Sequence, residues 1–144
     1  MFDLPIDERL TYWSQFRKNL DQSKDPFAAV WNLWQSAPYV HYNHKIDPFY
    51  QSSWPTPWEI LVENKYDDFT KSLMIGWTLK LTERFKNSNI TIHTYVDNAK
   101  NSVYNIIDVD NEWLINYNDN GPVPNQKLPE SFSLQNLIEV KSPR

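Results

Sequence analysis

The sequence predicts an α+β fold, and three observations carry that prediction. In Trp54-Pro55-Thr56-Pro57-Trp58-Glu59, Thr56 and Glu59 stand three apart as a capping box with Pro57 at the first helical position, which fixes a helix start. From Ile90 the apolar spacing changes from helical to every second residue, the signature of strands. Asp110-Asn111 then divides two such runs, and both residue types tolerate positive φ, so a tight hairpin is expected. Together these predict an N-terminal helical pair, then a long helix packed on a three-stranded antiparallel meander.

The elements follow in chain order. After Asp7, the residues Leu10, Trp13, Phe16 and Leu20 place one apolar stripe on a first helix. Asp25-Pro26 supplies an N-cap and a first-turn proline, and Phe27, Val30, Trp31 and Trp34 continue at helical spacing towards Pro38. Two short antiparallel helices are the simplest reading. Residues 36–55 hold three prolines and no clean period. A connection of that length is functional or wraps a neighbour, and its rings predict a satellite core beneath it.

From Pro57 a short helix runs to about Asn64. Asp67 or Asp68 caps a longer one, with Phe69, Leu73, Trp77, Leu81 and Phe85 at intervals of four. Gly76 costs about 1 kcal/mol against alanine in mid-helix, so it marks a close approach by another element. Ile90 to Val96, Val103 to Val109 and Glu112 to Tyr117 are the three expected strands. Asn118 to Pro122 reads as a turn, and Ser133 as the cap of a short last helix through Ile138. The whole reads as a single domain over 1–144: helical pair and aromatic loop over 1–56, helix and sheet over 57–120, tail over 121–144.

Composition narrows the function. Seven Trp, eight Tyr and seven Phe in 144 residues exceed what a small core requires, so part of that load is available for an interface. The chain has no cysteine, which excludes disulfides, thiolate zinc sites and thiol nucleophiles. A net charge of −4 with scattered cations leaves no basic footprint, so nucleic acid is not an expected partner. Met1-Phe2-Asp3-Leu4-Pro5 lacks the character of a signal peptide, and no apolar run nears the roughly 20 residues of a membrane span. A soluble protein without membrane contact is expected.

Each candidate site competes with a plainer role. His41, His44 and Asp47 lie within seven residues, but adjoining Lys45 and the lack of a helical pattern point to surface positions, with no metal. Glu59 and Glu63 are one turn apart, yet Glu59 has a capping task and Glu63 is expected in solvent. Asp67 and Asp68 suit a helix N-terminus. His93 with Ser72 or Thr70 would make a hydroxyl–imidazole pair, against cross-strand packing as the simpler use. Tyr39, Tyr42, Phe49, Tyr50 and Trp54 are the residues for which an interaction surface competes best with packing. With weak charge around them, the expected partner is protein. No catalytic set and no cofactor are expected.

A helix leading into a three-stranded antiparallel sheet resembles the core of transglutaminase-like and related cysteine-peptidase folds. Lys65-Tyr66-Asp67-Asp68-Phe69 is similar to the family's helix-opening motif, with Tyr66 where the nucleophilic Cys would stand. Asn111-Glu112-Trp113-Leu114-Ile115-Asn116 resembles its hairpin and third strand. The family's His position falls near Asn101 or Ser102, and its acid near Asn116 or Asn118. The resemblance spans residues 57–120 and implies a scaffold that has lost the family's chemistry. Tyr12-Trp13, Asp25-Pro26-Phe27, Trp54 through Glu59 and Gly76-Trp77-Thr78-Leu79-Lys80 also resemble small uncharacterised proteins of tailed phages, those of marine cyanobacteria in particular. That implies a virion or host-takeover role; the leading reading is a non-catalytic virion structural or assembly component, in the particle or the host cytoplasm. The alternatives are a phage regulator of a host enzyme or polymerase, and a hydrolase or acyl-transfer enzyme with Ser72 as replacement nucleophile.

Overall fold

Four helices precede a five-stranded antiparallel sheet in the computed structural model, whose described residues are 1–143. The helices are α1 (Ile6–Leu20), α2 (Pro26–Gln35), α3 (Pro57–Glu63) and α4 (Asp68–Lys80). The strands are β1 (Ile90–Asp97), β2 (Ser102–Val109), β3 (Trp113–Asn118), β4 (Gly121–Pro124) and β5 (Phe132–Glu139), in the order β4-β3-β2-β1-β5.

Local chemistry sets the helix starts. The Asp25 carboxylate accepts from Ala28 N–H at 3.2 Å, and Pro26 occupies the first turn of α2. At α3 both halves of the capping box form: Glu59 N–H donates to Thr56 Oγ1 at 3.2 Å, and Thr56 N–H to Glu59 Oε1 at 3.0 Å. Asn64 ends α3 at a φ of 58°, the left-handed conformation that asparagine accepts more readily than most residues. Asp67 caps α4, taking hydrogen bonds from Thr70 N–H at 2.8 Å and Thr70 Oγ1 at 2.6 Å.

Helix α4 is the axis of the core. Phe69, Thr70 and every residue from Ser72 to Leu79 are buried, because α2 covers one side of the helix and β1 and β2 the other. Its centre is Thr78, whose Oγ1 accepts the indole N–H of Trp13 at 3.0 Å and that of Trp34 at 3.2 Å, while donating to Met74 O at 2.6 Å. One hydroxyl thus ties α1, α2 and α4 together and satisfies two buried donors. Gly76 is where another element comes near. A Cβ there would stand 3.2 Å from both methyls of Val140, just beyond β5.

Five expectations need correction. The sheet has five strands where three were expected, and the tail is β5, with no helix capped by Ser133. Between Thr94 and Tyr95 the pairing of β1 with β5 shifts register, so Gln135 bulges and the helix-like spacing of Leu134, Leu137 and Ile138 is accommodated in a strand, the two leucines exposed and Ile138 buried. The turn over Asn118 to Pro122 opens into β4, whose Pro122 and Pro124 are tolerated because the strand is an edge. Helix α4 stops at Lys80, short of Phe85. The Thr82 hydroxyl donates to Leu79 O at 2.6 Å and accepts from Phe85 N–H at 3.0 Å, replacing the helical bonds. The N-terminal helices also dock on different elements, α1 on α3 and α2 on α4, so they are not chiefly each other's partner.

Candidate interaction surface

The segment between α2 and α3 is closely held despite having only a single 3-10 turn (Gln51–Ser53) of its own. Val40 N–H donates to Tyr66 O at 3.0 Å and Tyr66 N–H to Pro38 O at 3.1 Å, which fastens its start beside α4. Asn43 N–H donates to Asp67 Oδ2 at 2.9 Å, and Asn43 Nδ2 to Lys65 O at 3.3 Å. Ile46 is buried in the core. Trp54 Nε1 donates to Asp47 O at 2.6 Å, and Asn136 Nδ2 of β5 reaches Pro48 O at 3.4 Å.

On this held backbone the rings divide. Tyr39, Tyr42, Phe49 and Tyr50 are 69, 70, 75 and 61 % exposed. Trp54 is only 6 % exposed, with its ring centroid 5.8 Å from Phe69 and 6.1 Å from Trp77. The fifth residue of the predicted surface is therefore a core residue, buried because its indole fills the space beside α4. The expected satellite core under the loop does not form: Ile46 and Trp54 join the main core, and Asn43 is buried as a polar tie to Asp67.

The remaining candidates take structural places. His41, His44 and Asp47 are all exposed, and the Asp47 carboxylate accepts from Phe49 N–H at 2.9 Å. No group of three His, Cys, Asp or Glu suited to a metal occurs among the described residues. Glu63 pairs with Lys45 at 2.5 Å, and that hydrogen bond holds its carboxyl below the usual range. Tyr66 is buried, its ring edge-on to Phe2 and Trp34, and its hydroxyl has no partner. Burial pushes its phenol well above the ordinary range, against a smaller opposing pull from Arg9, so the phenolate is not formed at neutral pH. Asn101 occupies the β1–β2 turn at a φ of 52°, the Ser102 hydroxyl donates to Lys100 O, and Asn118 Oδ1 accepts from Asn120 N–H.

His93 pairs with Thr91, Oγ1 to Nε2 at 2.9 Å, and stacks on Tyr95, while Thr70 is engaged with Asp67 and Ser72 with asparagines. The hydroxyl–imidazole pair with α4 does not form. Burial lowers the His93 pKa, with Asp108 opposing.

Sequence reasoning missed a polar cluster between α4 and the sheet. Ser72 Oγ donates to Asn105 O at 2.7 Å and accepts from Asn116 Nδ2 at 2.8 Å. Asn105 Nδ2 donates to Asp68 Oδ2 at 3.0 Å, and Asn105 Oδ1 accepts from Thr94 Oγ1 at 2.8 Å. Asn116 reaches inward because its φ is 71°, which breaks the alternation of β3. The available signal was Asn105, an amide set between Val103-Tyr104 and Ile106-Ile107 in β2. With both of its hydrogen bonds committed to amide groups and no imidazole beside it, the Ser72 hydroxyl is built as a structural link.

Comparison with protein-family models, curated proteins and solved structures finds no match to this chain.

Proposed function

We propose that the protein is non-catalytic and acts by protein–protein contact through Tyr39, Tyr42, Phe49 and Tyr50. The observation that carries this reading is four large rings presented to solvent by a loop whose backbone is hydrogen-bonded at both ends and in the middle. Exposed aromatic side chains on a fixed frame lose little entropy on docking, and tyrosine is among the residues that dominate interface energies. A loop used only for packing would bury those rings as it buries Trp54 and Ile46. With the phage resemblance, the assignment is a virion or assembly component of a tailed phage, in the particle or the host cytoplasm.

The test is mass spectrometry of purified particles alongside affinity purification of the tagged protein from infected cells. The reading expects the protein in particles, or captured with a phage structural protein, and loss of that association in a Tyr42→Ser, Phe49→Ser variant. Recovery with a host enzyme or polymerase and absence from particles would make it a regulator instead. Association unchanged by the double substitution would remove the loop from the account.

A further inference from the structure

A second region is arranged for binding, remote in character from the exposed loop rings. A cleft of about 470 Å³ opens where the end of α2, the first turns of α4 and the β2–β3 part of the sheet converge. That volume lies within the roughly 300–1,000 Å³ of ligand pockets, but such pockets are lined mainly by apolar groups and this one is not. We propose that this cleft binds a saccharide.

Several polar groups at the cleft are left without a protein partner. Trp31, Gln35 and Lys71 line the cleft, and their side-chain donors have no protein partner. Asn116 commits its Nδ2 to Ser72 and Asn105 O, and Asp68 commits Oδ2 to Asn105, which leaves Asn116 Oδ1 and Asp68 Oδ1 as acceptors. Lys71 follows Asp68 by one turn without forming an ion pair with it. Donors and acceptors in comparable number suit vicinal hydroxyls, since each hydroxyl both donates and accepts.

The acceptors of the cleft are also rigidly held. Asp68 and Asn116 are held by the Ser72–Asn105 network, and Ser72 and Asn105 are buried. Acceptors fixed from behind in this way need little reorganisation to meet a ligand. The charge and polarity of the cleft disfavour other ligand classes. Asp68 and Asp119 outnumber Lys71 at the cleft, so a phosphate would meet net repulsion. An apolar ligand would strip water from five unpaired polar groups without replacing their hydrogen bonds.

The experiment is a nitrogen-15 NMR titration of the full chain with glucose, galactose, mannose, N-acetylglucosamine and rhamnose, and separately with inorganic phosphate. At least one sugar should shift the Trp31 indole and the Gln35 and Asn116 side-chain amides while leaving Tyr42 and Phe49 unmoved. Lys71→Ala and Gln35→Ala lie at the surface of the cleft and keep the Ser72–Asn105 network, and each should weaken that sugar's binding about tenfold. No shift with any of the five sugars, shifts confined to other regions, or tighter binding of phosphate would overturn the assignment. Because the readout is confined to the cleft, its failure leaves the loop-contact reading standing, and the reverse also holds.

Discussion

The tryptophans around Thr78 and the tyrosines of the 36–55 segment put the same kind of side chain to opposite uses. Trp13 and Trp34 are fully buried and both give their indole N–H to one hydroxyl. Tyr39, Tyr42, Phe49 and Tyr50 stand in solvent on a backbone that is itself firmly bonded. A heavy aromatic content therefore does not imply a large core. Here part of it holds three helices together, and part is displayed.

That contrast is sharpest at Trp54, which shares its segment with the displayed rings and its environment with the buried ones. Trp54→Ala should cost about 3–5 kcal/mol in denaturant unfolding, as for other buried large-to-small changes. A loss below about 1 kcal/mol would put Trp54 back with the surface rings. Thr78→Val comes next. It keeps the shape but strands two buried indole donors, so a loss of about 2–4 kcal/mol is expected, with Thr78→Ser recovering most of it.

Tyr66→Phe runs the other way. Its hydroxyl is buried without a partner, so removing the oxygen should raise stability by about 1 kcal/mol or leave it unchanged. A clear loss would show that the hydroxyl makes a bond the fold relies on, and would reopen Tyr66 as a working group.

His93 tests the outer face of the sheet by pH. Its pKa is depressed in the folded protein, chiefly by burial, so below about 6.5 the unfolded chain binds the proton more readily. Its contribution to stability is therefore intact above that pH and declines as pH falls through the unfolded value. Equilibrium unfolding of His93→Gln should show a flatter dependence between about pH 7 and 5. An unchanged slope would mean that the imidazole is solvated.

Much of this fold was legible where the signal is local. The capping box at Thr56 and Glu59, the caps at Asp25 and Asp67, and the hairpin at Asp110-Asn111 are each decided by a few neighbouring residues. The edge strands were not legible, because their evidence lies in their partners. β5 carries helical spacing through its bulge at Gln135, and β4 contains two prolines that only an edge position permits. The cluster of Asp68, Ser72, Asn105 and Asn116 depends on register between distant elements and on one positive φ at Asn116. Trp54 was misplaced for the same reason, since nothing in its own neighbourhood distinguishes it from Tyr50.

The smallest stability effect belongs to the most important substitution. In the joint variant Tyr39→Ser, Tyr42→Ser, Phe49→Ser, Tyr50→Ser, thermal unfolding and association with the protein partner captured by the unaltered chain should be measured on the same preparation. Display predicts a stability change within about 0.5 kcal/mol per site together with lost association. A variant that melts far earlier, or that associates as well as the unaltered chain, would contradict the division of rings on which the account stands.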